Sequence, residues 1–310
     1  MASFKTYSIT KKWVNPKYTP FYIEDVSGSD NTLSIVKLGG DTKSLTIQKS
    51  TDGKTWASMG NTSSTAITAT VPANGRLYLR CQTDAWGINN SQDYFNKMSC
   101  SGNFNVGGNT MSLLYGSNFT GEETTLPVVS SMWRSLRGIF YGANKLISAE
   151  DLLLPATTLT NYCYQQMFYN CTSLTTVPSN LLPATTLTSN CYNSMFSGCT
   201  SLTTAPTLPA TTLANNCYQS MFSSCSSLTT APALNATTLI ERCYMNMFAG
   251  CSSLSSITCL ATNISASACT QNWLNNVSAT GTFYKDPNMS SWDRGTSGIP
   301  SGWTVQNYQG

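Results

Sequence analysis

Apolar positions recur four residues apart in a unit that the chain repeats four times. Cys217, Met221 and Cys225 stand at i, i+4 and i+8, and Tyr218 and Phe222 at i and i+4. That spacing predicts two adjoining stripes on one short helix. Asn215 and Asn216, just before it, are good N-cap residues, and Gly198 and Gly250 in sister copies suit a helix end. The Ser-Leu-Thr-Thr-Ala-Pro that follows reads as extended, with Pro206 and Pro232 limiting how far a ladder can run. Each unit is therefore predicted to be a short helix, a turn and a short strand.

The pair Cys163 and Cys171 returns as Cys191 and Cys199, Cys217 and Cys225, and Cys243 and Cys251, with first cysteines 28, 26 and 26 residues apart. Such a period is the signature of a solenoid whose units bury their apolar faces only against one another. Upstream, the imperfect stretch around Gly138 aligns with the copies, Phe140 standing 28 before Phe168 and Ala143 standing 28 before Cys171. Downstream, Trp273, Trp292 and Trp303 lie in a stretch that departs from the motif and reads as a cap. From Phe21 to about Ala85, short strand-like runs alternate with turn signals, the pattern of a small β-sandwich, and Asp52-Gly53 and Asn74-Gly75 are placed as tight hairpin turns. The predicted order is a basic arm over 1–20, a sandwich docking domain over 21–95, degenerate repeats over 96–150, full repeats over 151–265 and a C-terminal cap over 266–310.

Charge sharpens this picture. Only 10% of the 310 residues are charged, and none lies between Asp151 and Glu241, so the repeat surface must be hydroxyls and amides. Lys5, Lys11, Lys12 and Lys17 stand in the first twenty residues without an acid among them, which marks a docking arm for an acidic partner surface. The rest of the chain lacks the basic stripe with interleaved aromatics that nucleic acid would need. No run has the length of a membrane span, and the opening lacks the apolar core of a secretory signal. The expectation is folding in a reducing cytoplasm, followed by assembly at the site of action. Eight of the twelve cysteines hold fixed places in the repeats and read as small core residues, most of them reduced, although equivalent residues on adjacent coils would lie near disulfide distance on oxidation. With no His and no C-x-x-C in the chain, neither a metal nor any other cofactor is expected.

The L-PATTL and C-Y-x-x-M-F-x-x-C copies, with the GNTMSLLYG start and the GIPSGWTV ending, resemble the BspA-type leucine-rich repeats of Bacteroidales surface proteins and of the crAss-like phages that infect these bacteria. LTIQKSTDGKTW resembles the small immunoglobulin-like domains that precede such repeats. The resemblance implies a multidomain chain, an Ig-like β-sandwich followed by a leucine-rich-repeat α/β solenoid, that binds other surfaces and carries no catalytic constellation. The basic arm, in place of an export signal, favours a non-enzymatic virion protein of fibre or capsid-decoration type over a bacterial cell-surface adhesin. Its partners would be other virion proteins and a host surface glycan or protein. Fibre-like virion proteins are commonly trimers, and symmetric assembly is the general expectation.

Positions that vary between copies are the candidate readers of a ligand: Gln165, Gln166, Asn193, Ser194, Gln219, Ser220, Met245 and Asn246. Neutral amides and hydroxyls suit carbohydrate or a polar protein face better than phosphate. Tyr164, Tyr192, Tyr218 and Tyr244 form a ladder that reads as half-buried core, each hydroxyl finding a backbone partner, rather than as a sugar platform. Glu122-Glu123 precedes Glu150-Asp151 by 28 residues. In repeat register these carboxylates would stack near the ~5 to 5.5 Å separation of a retaining glycosidase, giving a third and distant reading as a glycan-active enzyme.

Overall fold

The computed structural model describes residues 15–38, 44–82, 95–127 and 135–310. Eight strands precede the first repeats: β1 (Tyr22–Asp25), β2 (Asn31–Leu38), β3 (Thr46–Ser50), β4 (Ala57–Asn61), β5 (Ile67–Val71), β6 (Arg76–Cys81), β7 (Phe95–Cys100) and β8 (Phe104–Asn109). Alternation of buried and solvent-facing residues, clearest in β6, turns one side of each sheet inward. β9 (Leu146–Leu153) completes a six-stranded sheet in the order β4-β3-β6-β1-β8-β9, and β5-β2-β7 forms a second. The segment 51–56, with Gly53 at φ 71°, joins the antiparallel pair β3 and β4 as a hairpin connection. Asn74-Gly75 also turns, Gly75 donating to the Pro72 carbonyl at 2.8 Å, but it carries the chain from one sheet to the other and makes no hairpin.

β8 and β9 run parallel, from Phe104 opposite Leu146 to Asn109 opposite Leu153. Gly107 is needed at this seam, because a Cβ there would strike the Tyr22 phenol and crowd Asp151. β9 passes its hydrogen bonds straight on to the first full copy: Thr175 N–H donates to Ile147 O (2.9 Å) and Ala149 N–H to Thr176 O (3.0 Å). The Phe21 ring lies 6.0 Å from that of Phe140, so the apolar interior continues from the N-terminal sheets into the repeats.

The α/β class and the leucine-rich-repeat solenoid predicted from sequence are overturned here. Among the described residues the only α-helix is Met111–Tyr115, five residues long, and twelve strands lie in three sheets. The segments assigned to helices are chains of turns. Every fourth residue is left-handed: Tyr162, Gln166 and Asn170; Asn190, Ser194 and Gly198; Asn216, Ser220 and Ser224; Arg242, Asn246 and Gly250. A right-handed helix cannot absorb a positive φ once per turn. Alternate N–H groups instead close tight turns, as Gln165 to Tyr162 O and Met167 to Tyr164 O. The intervening ones donate to the next copy, as Tyr164 to Cys191 O (3.0 Å) and Phe168 to Met195 O (2.8 Å). Residues placed above as helix caps, among them Asn216, Gly198 and Gly250, belong to this left-handed series.

Copies are thus stacked through backbone hydrogen bonds, and their large side chains stack too. Phe140, Phe168, Phe196, Phe222 and Phe248 form a file with centroids 5.4, 5.3, 5.5 and 5.6 Å apart. The turn chain occurs once more in 266–276, with positive φ at Ala268, Asn272 and Asn276 and Trp273 in the place of Met. β10 (Ser256–Cys259), β11 (Gly281–Lys285) and β12 (Trp303–Asn307) close the molecule as a parallel sheet. A second file, Tyr164, Tyr192, Tyr218 and Tyr244, ends in Trp273, which stacks on Tyr244 at 6.2 Å and on Trp292 at 5.5 Å. Among the described residues no helix is long and apolar enough to cross a membrane.

Candidate functional site

The turn chains put a row of side chains on one face of each copy, and the backbone ladder sets the rows in register. Gln166 N–H donates to Asn193 O (2.9 Å), Ser194 to Gln219 O (2.8 Å), Ser220 to Met245 O (2.8 Å) and Asn246 to Gln271 O (2.9 Å). All the candidate readers therefore share one strip, each half-buried. The strip runs beyond them: Arg137 donates to Gln166 Oε1 at 3.3 Å at one end, and Gln271 continues it at the other. Within it, Asn193 Nδ2 donates to Gln219 Oε1 at 3.3 Å and Ser194 Oγ to Asn193 Oδ1 at 2.9 Å. These amides are pre-ordered by one another rather than projecting freely.

A parallel strip was missed in the sequence because its members share no side-chain type: Tyr141, Tyr169, Ser197, Ser223, Ala249 and Asn275. It is joined by the N–H groups of Gly142, Asn170, Gly198, Ser224 and Gly250. Tyr141 and Tyr169 stack on it at 4.8 Å. The signal available beforehand was the recurrence of Asn, Ser and Gly every four residues, the residue types that tolerate left-handed backbone.

Beneath the face the chemistry is closed. The second cysteine of each copy is buried and its thiol donates to the Phe carbonyl of the preceding copy: Cys171 to Phe140 O (3.0 Å), Cys199 to Phe168 O (3.1 Å), Cys225 to Phe196 O (3.1 Å) and Cys251 to Phe222 O (3.0 Å). Burial pushes the Cys163 and Cys171 thiols up to about 12, so neither forms the reactive thiolate at neutral pH. All twelve cysteines are free thiols.

The tyrosine file is more deeply buried than the half-buried expectation. Tyr164, Tyr192, Tyr218 and Tyr244 are each 1 or 2% exposed, out of reach of any sugar. The hydroxyls of Tyr164 and Tyr192 find no hydrogen-bond partner, contrary to the backbone pairing expected. Burial raises both phenols well above their ordinary pKa. An unpaired buried hydroxyl costs on the order of 1–3 kcal/mol. Tyr192→Phe is accordingly expected to raise the unfolding free energy by about 1 kcal/mol, measured by urea denaturation; a loss of similar size would reveal a partner for the hydroxyl.

The acidic residues do not form the pair that repeat register suggested. Thr125 bridges to Thr158, an offset of 33 rather than 28, so the first coil is longer than the rest and slips the carboxylates apart. Glu122 accepts from Lys17 Nζ and from the Tyr18 hydroxyl (2.7 Å). Glu123 is tied to Thr120 and Gly121, and Asp151 accepts from Tyr22 at 3.1 Å. Of the docking-arm lysines, Lys17 sits in the 3-10 turn Pro16–Tyr18 and is committed to Glu122. Lys5, Lys11 and Lys12 lie outside the described residues. No cluster of metal-ligating side chains occurs among the described residues.

Set beside known proteins, the chain matches no protein-family model, no curated protein and no solved structure.

Proposed function

We propose that this protein is a non-enzymatic structural and binding component of a larger particle, of the virion kind that the sequence resemblance implies. The turn-built face is its contact surface. The observation that carries this reading is the strip from Arg137 to Gln271, held at fixed spacing by one backbone hydrogen bond per copy. Between Arg137 at its end and Gln271, and apart from Met245, its chemistry is amide and hydroxyl, which steers partners weakly at long range and matches a neutral polar surface at contact. Side chains already ordered by their neighbours lose little entropy when a partner covers them. The N-terminal sheets, joined to the repeats through β8 and β9, would transmit load from that face to a docking point.

Mass spectrometry of purified particles is expected to find the chain at a fixed stoichiometry. Asn193→Lys combined with Gln219→Lys is expected to lower its incorporation by about tenfold or more, in a chain that still unfolds cooperatively. Recovery solely from outer-membrane fractions, or incorporation indifferent to the two lysines, overturns the reading.

A further inference from the structure

Away from the repeats, a recess of about 210 Å³ opens in the N-terminal sheets between the β3–β4 connection, β6, the Pro16–Tyr18 turn and residues 116–120. Its walls include Trp56, Arg80, Tyr18, Phe119 and Thr120. Nothing in the contact face above uses it.

Arg80 is the telling residue. Arg76 and Arg80 lie four apart on β6, so both project from the same side of the sheet. Both guanidinium groups sit over an aromatic ring, Arg76 at 4.1 Å from the Tyr22 centroid and Arg80 at 4.3 Å from that of Trp56. Both donate through Nε to a neighbouring strand. Arg76 meets the carboxylate of Glu24 at 2.9 Å, whereas Arg80 meets the neutral amide of Gln48 at 2.8 Å. Among the described residues no carboxylate lies within ion-pair reach of Arg80. It is therefore a half-buried cation, fixed in orientation by Gln48 and Trp56, that forms part of the wall of the recess. Burial lowers its pKa from the ordinary guanidinium value with no opposing contribution from an acid.

We propose that this recess binds a small carboxylate of about one ring in size, with the Arg80 guanidinium gripping the carboxylate and the mostly polar lining of the recess meeting the rest of the ligand. A planar fork matched to a planar anion is the pairing for which guanidinium is best suited. The volume is below the ~300 Å³ at which pockets begin to hold drug-sized molecules, which restricts the ligand to about one ring. Two sources share this chemistry, a sugar acid and an aromatic acid.

The test is calorimetric titration of the full chain with D-glucuronate and with benzoate, using glucose and benzyl alcohol as their uncharged counterparts. One or both carboxylates are expected to bind with millimolar or tighter affinity, and the matching neutral molecule at least tenfold more weakly; which carboxylate binds identifies the source. Gln48→Glu gives Arg80 the internal counter-ion that Glu24 gives Arg76, and is expected to weaken carboxylate binding tenfold or more while the thermal midpoint holds or rises. Arg80→Lys, which keeps the charge and loses the fork, is expected to weaken it as well. Failure of both carboxylates to bind, equal binding of the neutral molecules, or binding unchanged in both variants overturns the proposal.

Discussion

Phe196→Ala is expected to lower the free energy of unfolding by about 4 kcal/mol. The ring is fully buried and stacked between Phe168 at 5.3 Å and Phe222 at 5.5 Å, nearly parallel to both. Truncation removes the transfer energy of a phenyl group and leaves a cavity whose walls cannot close. The backbone on each side is pinned, Phe196 N–H to Met221 O at 2.9 Å and Phe168 N–H to Met195 O at 2.8 Å. Each lost stacking contact adds about 0.5–1.5 kcal/mol. Because a copy touches only its neighbours, the damage is local and shared. Phe196→Ala with Phe222→Ala is expected to cost less than the two single losses together, since both remove the same ring pair, with a coupling of about 1 kcal/mol. Chemical denaturation of the two single variants and the double variant measures this directly. A loss under about 1 kcal/mol for Phe196→Ala would mean that the file carries little of the stability.

Much of the repeat region was legible because burial follows composition. Cys, Tyr, Met, Phe and Leu at fixed places in each copy are the interior, and the alignment of Phe140 with Phe168 appears as a stacked ring pair. The fold class was not legible, and the reason lies in the period. A repeat of four residues in a segment about eleven long differs too little from the 3.6 of a helix for spacing alone to separate them. The residue types carried the missing information. Asn, Ser, Tyr, Cys and Phe are all mediocre helix formers, and Asn, Ser and Gly recur at the same phase, where the backbone is left-handed. The fifth turn chain escaped notice because Trp273 and Leu274 stand where Met and Phe stand in earlier copies. A larger side chain fits there because the next layer, Trp292 and Phe283, is itself aromatic.

The candidate contact strip was legible as a set of positions but not as a surface. Variation between copies picked out residues that do share a face, while the amide-to-amide hydrogen bond from Asn193 to Gln219 and the continuation to Arg137 depend on how copies stack. The acidic pair failed for the complementary reason. Counting 28 residues back presumes a constant coil, and the Thr125–Thr158 bridge shows a longer one. Arg80 could not have been singled out at all, since its distinction from Arg76 lies in which strand pairs with β6 on each side. β1 brings Glu24 to Arg76, and β3 brings Gln48 to Arg80.

Ser220→Val is expected to cost about 2 kcal/mol, and Ser220→Gly to gain up to about 1 kcal/mol. Ser220 sits at φ 54° in the middle of its turn chain, its N–H held by Met245 O at 2.8 Å, so the backbone cannot rotate away. An L-residue pays about 1–2 kcal/mol for the left-handed conformation, more when β-branched; glycine escapes that cost and forfeits only part of the gain to unfolded-chain entropy. A helix would reverse the order, since glycine in a helix interior is about 1 kcal/mol worse than alanine and valine loses less than that. The neighbouring position supplies the control. Gln219 has an ordinary negative φ, and Gln219→Gly is expected to lose about 0.5–1 kcal/mol from entropy alone. Thermal or urea unfolding of the three variants therefore reads backbone handedness residue by residue. Glycine destabilising at 220 as much as at 219 would overturn the turn-chain architecture, and with it the spacing of every side chain on the contact face.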